Sequence, residues 1–161
     1  MIHWNICKNI GAPVKKNWYN HYPGKVVEND RGKILWDFRI QTDRRIEHNT
    51  PDIVVIIQET INIIDIAIPG DPRVRDKEIE KINKYQELGR EMTRLWRKPF
   101  SVIPIVIGAM GAITSNLGKH LIDLEIMELS TAQFQKTAIF RTAQILRKHL
   151  RSFRPLVETR T

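Results

Sequence analysis

The sequence predicts an α/β fold: a mixed β-sheet flanked by helices, preceded by a helical N-terminal arm. Three observations carry that prediction. Apolar and polar residues alternate over Lys33–Ile40, two β-branched runs follow at Ile53–Gln58 and Ile61–Ile68, and from Val74 the apolar period lengthens to that of a helix.

Residues 1–32 read as an arm, a short helix around Ile2–Ile10 followed by turn-rich sequence with Gly11, Pro13, Pro23 and Gly24. The cluster Trp18, Tyr19, His21 and Tyr22 is expected to anchor this arm to the body, with stacking on nucleic acid as the alternative. Residues 33–150 form the body. Its first strand is the half-buried Lys33–Ile40. The two β-branched runs make an antiparallel hairpin turning at Gln58-Glu59-Thr60, and Pro69-Gly70-Asp71-Pro72 stops its second strand. Ile79, Ile82, Tyr85, Leu88, Met92 and Leu95 recur at steps of three and four, which predicts one amphipathic helix from about Val74 to Trp96. Ser101–Ile107 is a further strand, ended by the turn Gly108–Gly111, whose glycines suit a strand-to-helix connection or a close backbone approach to DNA. Helices near Ser115–Leu124 and Thr131–Phe153 follow, and residues 151–161 are a basic tail.

A chain of 161 residues fits one domain with a core of its own. Its 42% hydrophobic and 27% charged residues are the fractions of a globular protein, not a disordered one. A net charge of +8 and a pI near 9.8 suggest a polyanionic partner, although charge alone also fits a membrane surface or an acidic protein. The longest apolar run, Ile53–Ile57, is far too short to span a bilayer, and the first residues lack the basic-then-apolar layout of a secretory signal. Within 130–161, Lys136, Arg141, Arg147, Lys148, Arg151, Arg154 and Arg160 face a single acid, Glu158. A solvated helix face accounts for such a run, and its one-sidedness moves the balance toward phosphate contact.

A single cysteine, Cys7, excludes an intramolecular disulfide and fits a reducing compartment, the cytosol or nucleus. Cys7 and His3 are four apart and can face one side of a helix. Two ligands fall short of the four of a structural zinc site, so the reading preferred here is a small apolar cysteine.

The chemistry concentrates in the hairpin. Asp52 opens its first strand and Asp65 lies in the middle of its second, inside the apolar string Ile63–Ile68. Neighbouring strands run about 5 Å apart, so the two carboxylates repel unless a cation lies between them. Asp65 therefore either pairs with Lys or Arg or holds a hard divalent ion such as Mg²⁺ or Mn²⁺ through oxygen. The following helix presents Lys77, Lys81 and Lys84 at steps of four and three. Lys84, beside Tyr85 at the border of the apolar stripe, is best placed to reach Asp65. Lys77 and Lys81 read as exposed lysines paired with Glu78 and Glu80.

Pro51-Asp52, twelve residues, then Asp65 resembles the PD-(D/E)xK nuclease signature. The strings "KILWDFRIQTDRRIEHNTPDIVV", "IIDIAIPGDPRV", "EIEKINKYQELGREMTRLW", "VIPIVIGAMGAI" and "QKTAIFRTAQILRKHL" are more specific. They resemble the restriction-like endonuclease at the C-terminus of non-LTR retrotransposon reverse transcriptase polyproteins, from about Ile2 to Leu150. The resemblance implies a restriction-endonuclease-like sheet and a Mg²⁺-dependent nick in double-stranded target DNA in the nucleus. The exposed 3′ hydroxyl would then prime reverse transcription. It leaves the element's own RNA as a further candidate partner and gives no membrane role. Because the family carries a reverse transcriptase and zinc knuckle upstream, the chain is expected to be a fragment of a longer reading frame.

Carried over by position, the motif acids fall on Asp52 and Asp65 and the lysine on Lys84, with the carbonyl of Ile66 as an extra metal ligand. Ala67 stands where the usual lysine would, and the family similarly draws its lysine from the helix. Asp37 and Asp43 also match, as further ligands or water-orienting acids, or equally as turn-capping or Arg44-pairing residues. Asp71 reads as a turn residue, and Gln86 as a candidate for orienting the scissile phosphate. Arg44, Arg45, Lys77, Lys81, Arg147 and Lys148 are the candidate DNA contacts. Two other readings stand beside this one: a catalytically inactive nucleic-acid-binding domain that keeps the fold, and a protein-interaction domain with a solubilising tail.

Overall fold

The computed structural model describes residues 1–126 and 130–152. It is a mixed α/β structure whose five strands lie in the order β1-β2-β3-β4-β5. These are β1 (Val26–Asn29), β2 (Gly32–Trp36), β3 (Ile53–Ile57), β4 (Thr60–Ala67) and β5 (Phe100–Val106). The first four are antiparallel neighbours, and β5 joins β4 in parallel. A parallel pair needs a crossover, which α2 (Val74–Lys84) and α3 (Gln86–Trp96) supply. Helix α1 (Ile2–Asn9) precedes the sheet, and α4 (Asn116–Asp123) and α5 (Thr131–Ser152) follow it.

Side-chain alternation sends the β-branched residues to both faces, and each face buries its own cluster. On one, Ile34, Ile53, Val55, Ile64, Ile103 and Ile105 pack with Ile2, Ile6 and Cys7 of α1, Leu117 and Leu121 of α4, and Phe134 of α5. On the other, Leu35, Val54, Ile61 and Ile63 pack with Tyr85, Leu88 and Met92. Each fully buried aliphatic side chain stabilises the fold by about 1.5–3 kcal/mol, so the hairpin β3–β4, apolar on both faces, is the centre of the molecule.

Several elements differ from the sequence expectation for identifiable reasons. The arm contributes a strand, β1, which pairs with β2 from Val26↔Leu35 to Asn29↔Gly32. β2 ends at Trp36 rather than Ile40, because Asp37 turns to φ 44° and its carbonyl and carboxylate both accept bonds from Lys25. The hairpin turns on two residues, Gln58 and Glu59, at φ 50° and 62°. Both angles are the left-handed values that a two-residue hairpin needs.

The helix expected from Val74 to Trp96 breaks at Tyr85, whose φ of −105° and ψ of 10° are not helical. The break rotates α2 about its axis relative to α3. Ile79 of the expected stripe is consequently 51% exposed, and Val74 and Glu78 are buried instead. Of the aromatic cluster in the arm, Tyr19 and Tyr22 are exposed, and Trp18, partly covered, lines a cavity with Trp36, Ile66 and Ile68 of the body. His21 meets His3 of α1, a contact within the arm itself. Within α5, the run from Gln144 to Ser152 is exposed throughout. The part of the expected basic tail beyond Ser152 lies outside the described residues.

Candidate functional site

The register of the hairpin builds the site. Ile53 pairs with Ile64, so the next positions outward, Asp52 and Asp65, stand opposite each other on the face that carries α2 and α3. Asp65 also pairs with Pro104 of β5, is central in the sheet, and is only 3% exposed. An ionised carboxylate there requires partners. The Tyr85 hydroxyl donates to Oδ1 at 3.1 Å. The Lys81 ammonium lies 2.5 Å from Oδ2 and the Lys84 ammonium 4.0 Å. The Lys81 contact is a close charge pair without hydrogen-bond alignment, and Oδ2 has no aligned donor despite its burial.

Asp52 is half-buried, and its Oδ2 accepts the Ile66 backbone N–H at 2.7 Å. Burial raises its pKa and the facing Asp65 charge adds to the rise, while the Ile66 N–H and Lys81 oppose it. Burial, followed by the Asp65 charge, pushes the Tyr85 phenol well above its ordinary value, so Tyr85 remains a donor.

The expectation for the lysines is corrected here. Lys81, read from sequence as an exposed lysine paired with Glu78 or Glu80, has a side chain only 15% exposed and makes the closest contact with Asp65. Lys84, placed first by the continuous-helix reading, is the more distant of the two and rests over the Tyr85 ring at 4.8 Å. Lys77 does pair with Glu80, at 2.8 Å. Glu78 instead turns inward and accepts bonds from Thr114 at 2.6 Å and Asn116 at 2.7 Å, which fastens α2 to the start of α4.

Among the remaining candidates, Asp37 adjoins the cluster through its backbone N–H, which donates to the Asp52 carbonyl at 2.8 Å, but its side chain and those of the others lie elsewhere. Asp37 pairs with Lys25, and Asp43 with Arg94 at 2.6 Å. Asp71 begins a short 3-10 turn and accepts the Met110 N–H at 2.9 Å, a turn role, and a side chain at Gly108 would collide with it. The Gln86 amide folds back onto the Ile82 carbonyl of its own helical stretch at 3.0 Å. Arg44 and Arg45 line a cleft of about 680 Å³ formed mainly by residues 39–49. Beneath it Glu91, buried, accepts two bonds from Arg94 and lies 3.5 Å from Arg44. The Arg94 bonds hold its carboxyl below the usual range. Arg147 and Lys148 belong to α5 and line none of that cleft.

Sequence reasoning named Lys81 as a DNA contact but missed its pairing with Asp65, and it missed the Tyr85 hydroxyl and the inward acids Glu78 and Glu91. The signal available for Lys81 was its spacing from Glu78: the two are three apart and share a helix face. The chain matches no family model and no curated protein.

Proposed function

We propose that the chain is a Mg²⁺-dependent DNA endonuclease of the restriction-like type, which nicks target DNA to prime reverse transcription of a retroelement. The observation that carries this reading is the facing pair Asp52 and Asp65 with the Lys81 and Lys84 ammonium groups beside it. The helix-flanked mixed sheet is compatible with a restriction-endonuclease-like fold, which is part of the same proposal.

The donor set suits the metal. Asp52, Asp65 and the Ile66 carbonyl offer only oxygen, the preference of Mg²⁺ and Mn²⁺, and Oδ2 of Asp65 is a buried oxygen without an aligned donor. When bound, such an ion supplies Lewis acidity and a more acidic water. The protein's own contribution is positioning and charge. The Ile66 N–H and the Tyr85 hydroxyl fix the two carboxylates, so they reorganise little as charge moves. Lys81 and Lys84 supply positive charge where negative charge accumulates on the phosphate. Arg44 and Arg45 in their cleft, and Arg147 and Lys148 on α5, offer salt-sensitive contacts to the backbone of the duplex.

Nicking of supercoiled plasmid, with and without Mg²⁺, tests the reading. Asp52→Ala and Asp65→Asn are each expected to reduce nicking to background while salt-sensitive DNA binding persists. Lys81→Met should cost at least roughly 10-fold more than Lys84→Met. Unchanged nicking by either acid variant sinks the assignment. One observation favours a second reading, in which the domain binds nucleic acid without cutting it: Lys81 already neutralises Asp65 with no metal required. Salt-sensitive binding without cleavage in Mg²⁺ or Mn²⁺ would decide for it.

A further inference from the structure

We propose that His3, Cys7 and His21 form a second metal site, of opposite chemistry, for a borderline-soft divalent transition metal of the Zn²⁺ class. Helix α1 sets His3 and Cys7 one turn apart on its inward face, where they are 2% and 1% exposed. His21 arrives from the chain after the short 3-10 turn Trp18–Asn20. Nδ1 of His3 lies 2.8 Å from Nε2 of His21 and 3.5 Å from Sγ of Cys7, and the three atoms all lie within 4.8 Å of one another.

A hydrogen bond at Nδ1 of His3 serves one of its two neighbours fully at a time. Protonated, Nδ1 of His3 donates to one neighbour and turns an N–H toward the other. Unprotonated, it accepts from one of them alone. A cation among the three atoms takes a lone pair from each. With ordinary zinc bond lengths, tetrahedral geometry places two nitrogens about 3.3 Å apart and nitrogen and sulfur about 3.6 Å apart. The His3–Cys7 edge already has that length, the nitrogen–nitrogen edge has about half an ångström to open, and the His21–Cys7 edge, within 4.8 Å, has room to close. The Trp36 ring meets His3 edge-on at 5.6 Å and holds its plane.

Two imidazoles and a thiolate select Zn²⁺ or Co²⁺ over the hard ions suited to Asp52 and Asp65. Three ligands come from the described residues, leaving a fourth position to solvent or another donor. The ion would join α1 to the arm segment carrying His21, adding to the His3–His21 contact and the bond from the Trp4 indole to the Lys15 carbonyl. Binding expels the Cys7 proton to the solvent and changes no oxidation state.

Titration of the whole metal-free chain with Co²⁺ tests the site. With Mg²⁺ in excess to hold the Asp52–Asp65 site, the expected result is one equivalent bound, with a near-ultraviolet thiolate-to-cobalt charge-transfer band that Zn²⁺ abolishes by displacement and Mg²⁺ does not. Cys7→Ser should lose the band. His21→Ala, at a rim position, should weaken binding at least about 10-fold with an unchanged far-ultraviolet circular dichroism spectrum. Absence of saturable binding, a band that survives Cys7→Ser, or undiminished affinity in His21→Ala overturns the proposal. Nicking in Mg²⁺ by a protein that binds no Co²⁺ would reject this site and leave the nuclease reading standing.

Discussion

The two faces of the sheet carry polar clusters of opposite kind, assembled by different means. On the face of α2 and α3, Asp52 and Asp65 project from paired strands and meet lysines and a phenol. On the face of α1, two imidazoles and a thiol meet between a helix and a loop. The first cluster is charged and fixed by a ladder of backbone bonds that cannot shift without moving every neighbouring side chain. The second is neutral, and one of its three members depends on where the arm lies. The carboxylate site is therefore part of the fold's interior balance, whereas the His/Cys site reports on the docking of one segment.

Unfolding in urea separates the two. Asp65→Ala leaves Lys81 and the Tyr85 hydroxyl facing a buried void, and should destabilise the chain by about 3–5 kcal/mol. Cys7→Ala, measured in chelator, should cost no more than about 1–2 kcal/mol. Equal losses would break the contrast.

A smaller effect tests how rigidly α3 holds its face. A Cβ on Gly89 would come within 2.1 Å of the Phe100 ring, so Gly89→Ala should cost about 1–3 kcal/mol by overpacking. A neutral or stabilising result would mean that α3 can lift away from β5.

The smallest expected effect has the opposite sign. Burial raises the folded pKa of Asp52 above its ordinary 3.8, so its favourable contribution is complete below that value and is lost as pH rises through the folded one. Asp52→Asn keeps an acceptor for the Ile66 N–H. In metal-free buffer it should raise the thermal midpoint at pH 7, with the gain shrinking to nothing below about pH 3.8. A pH-independent gain would assign the effect to something other than charge.

The elements carrying the carboxylates were legible in the sequence because β-branched residues crowd Ile53–Ile57 and Ile61–Ile66, and a short turn between such runs leaves few ways to pair them. β1 left little trace, since Val26, Glu28 and Asn29 are exposed at the edge of the sheet and show no alternation. Lys81 was not placed nearer Asp65 than Lys84, because Tyr85 and Ile82 continue the stripe of Leu88 and Met92 through a position where the backbone leaves the helix. Glu78 and Glu91 look like solvated helix acids until the elements that bring Thr114, Asn116 and Arg94 against them are known. His21 meets His3 across eighteen positions of turn-rich chain, a contact that no local periodicity encodes.

The register of the β3–β4 hairpin also governs which changes in length the domain can survive. Asp52 and Asp65 stand opposite each other because equal numbers of residues separate them from the Gln58-Glu59 turn. Adding or deleting one residue on each strand moves both acids together and keeps them partnered. A single insertion on one strand forces either a bulge or a slip, and a slip sends one acid to the opposite face of the sheet. Among chains sharing this hairpin, gains in length should therefore persist in balanced pairs, and lone insertions should mark chains that have lost the carboxylate pair.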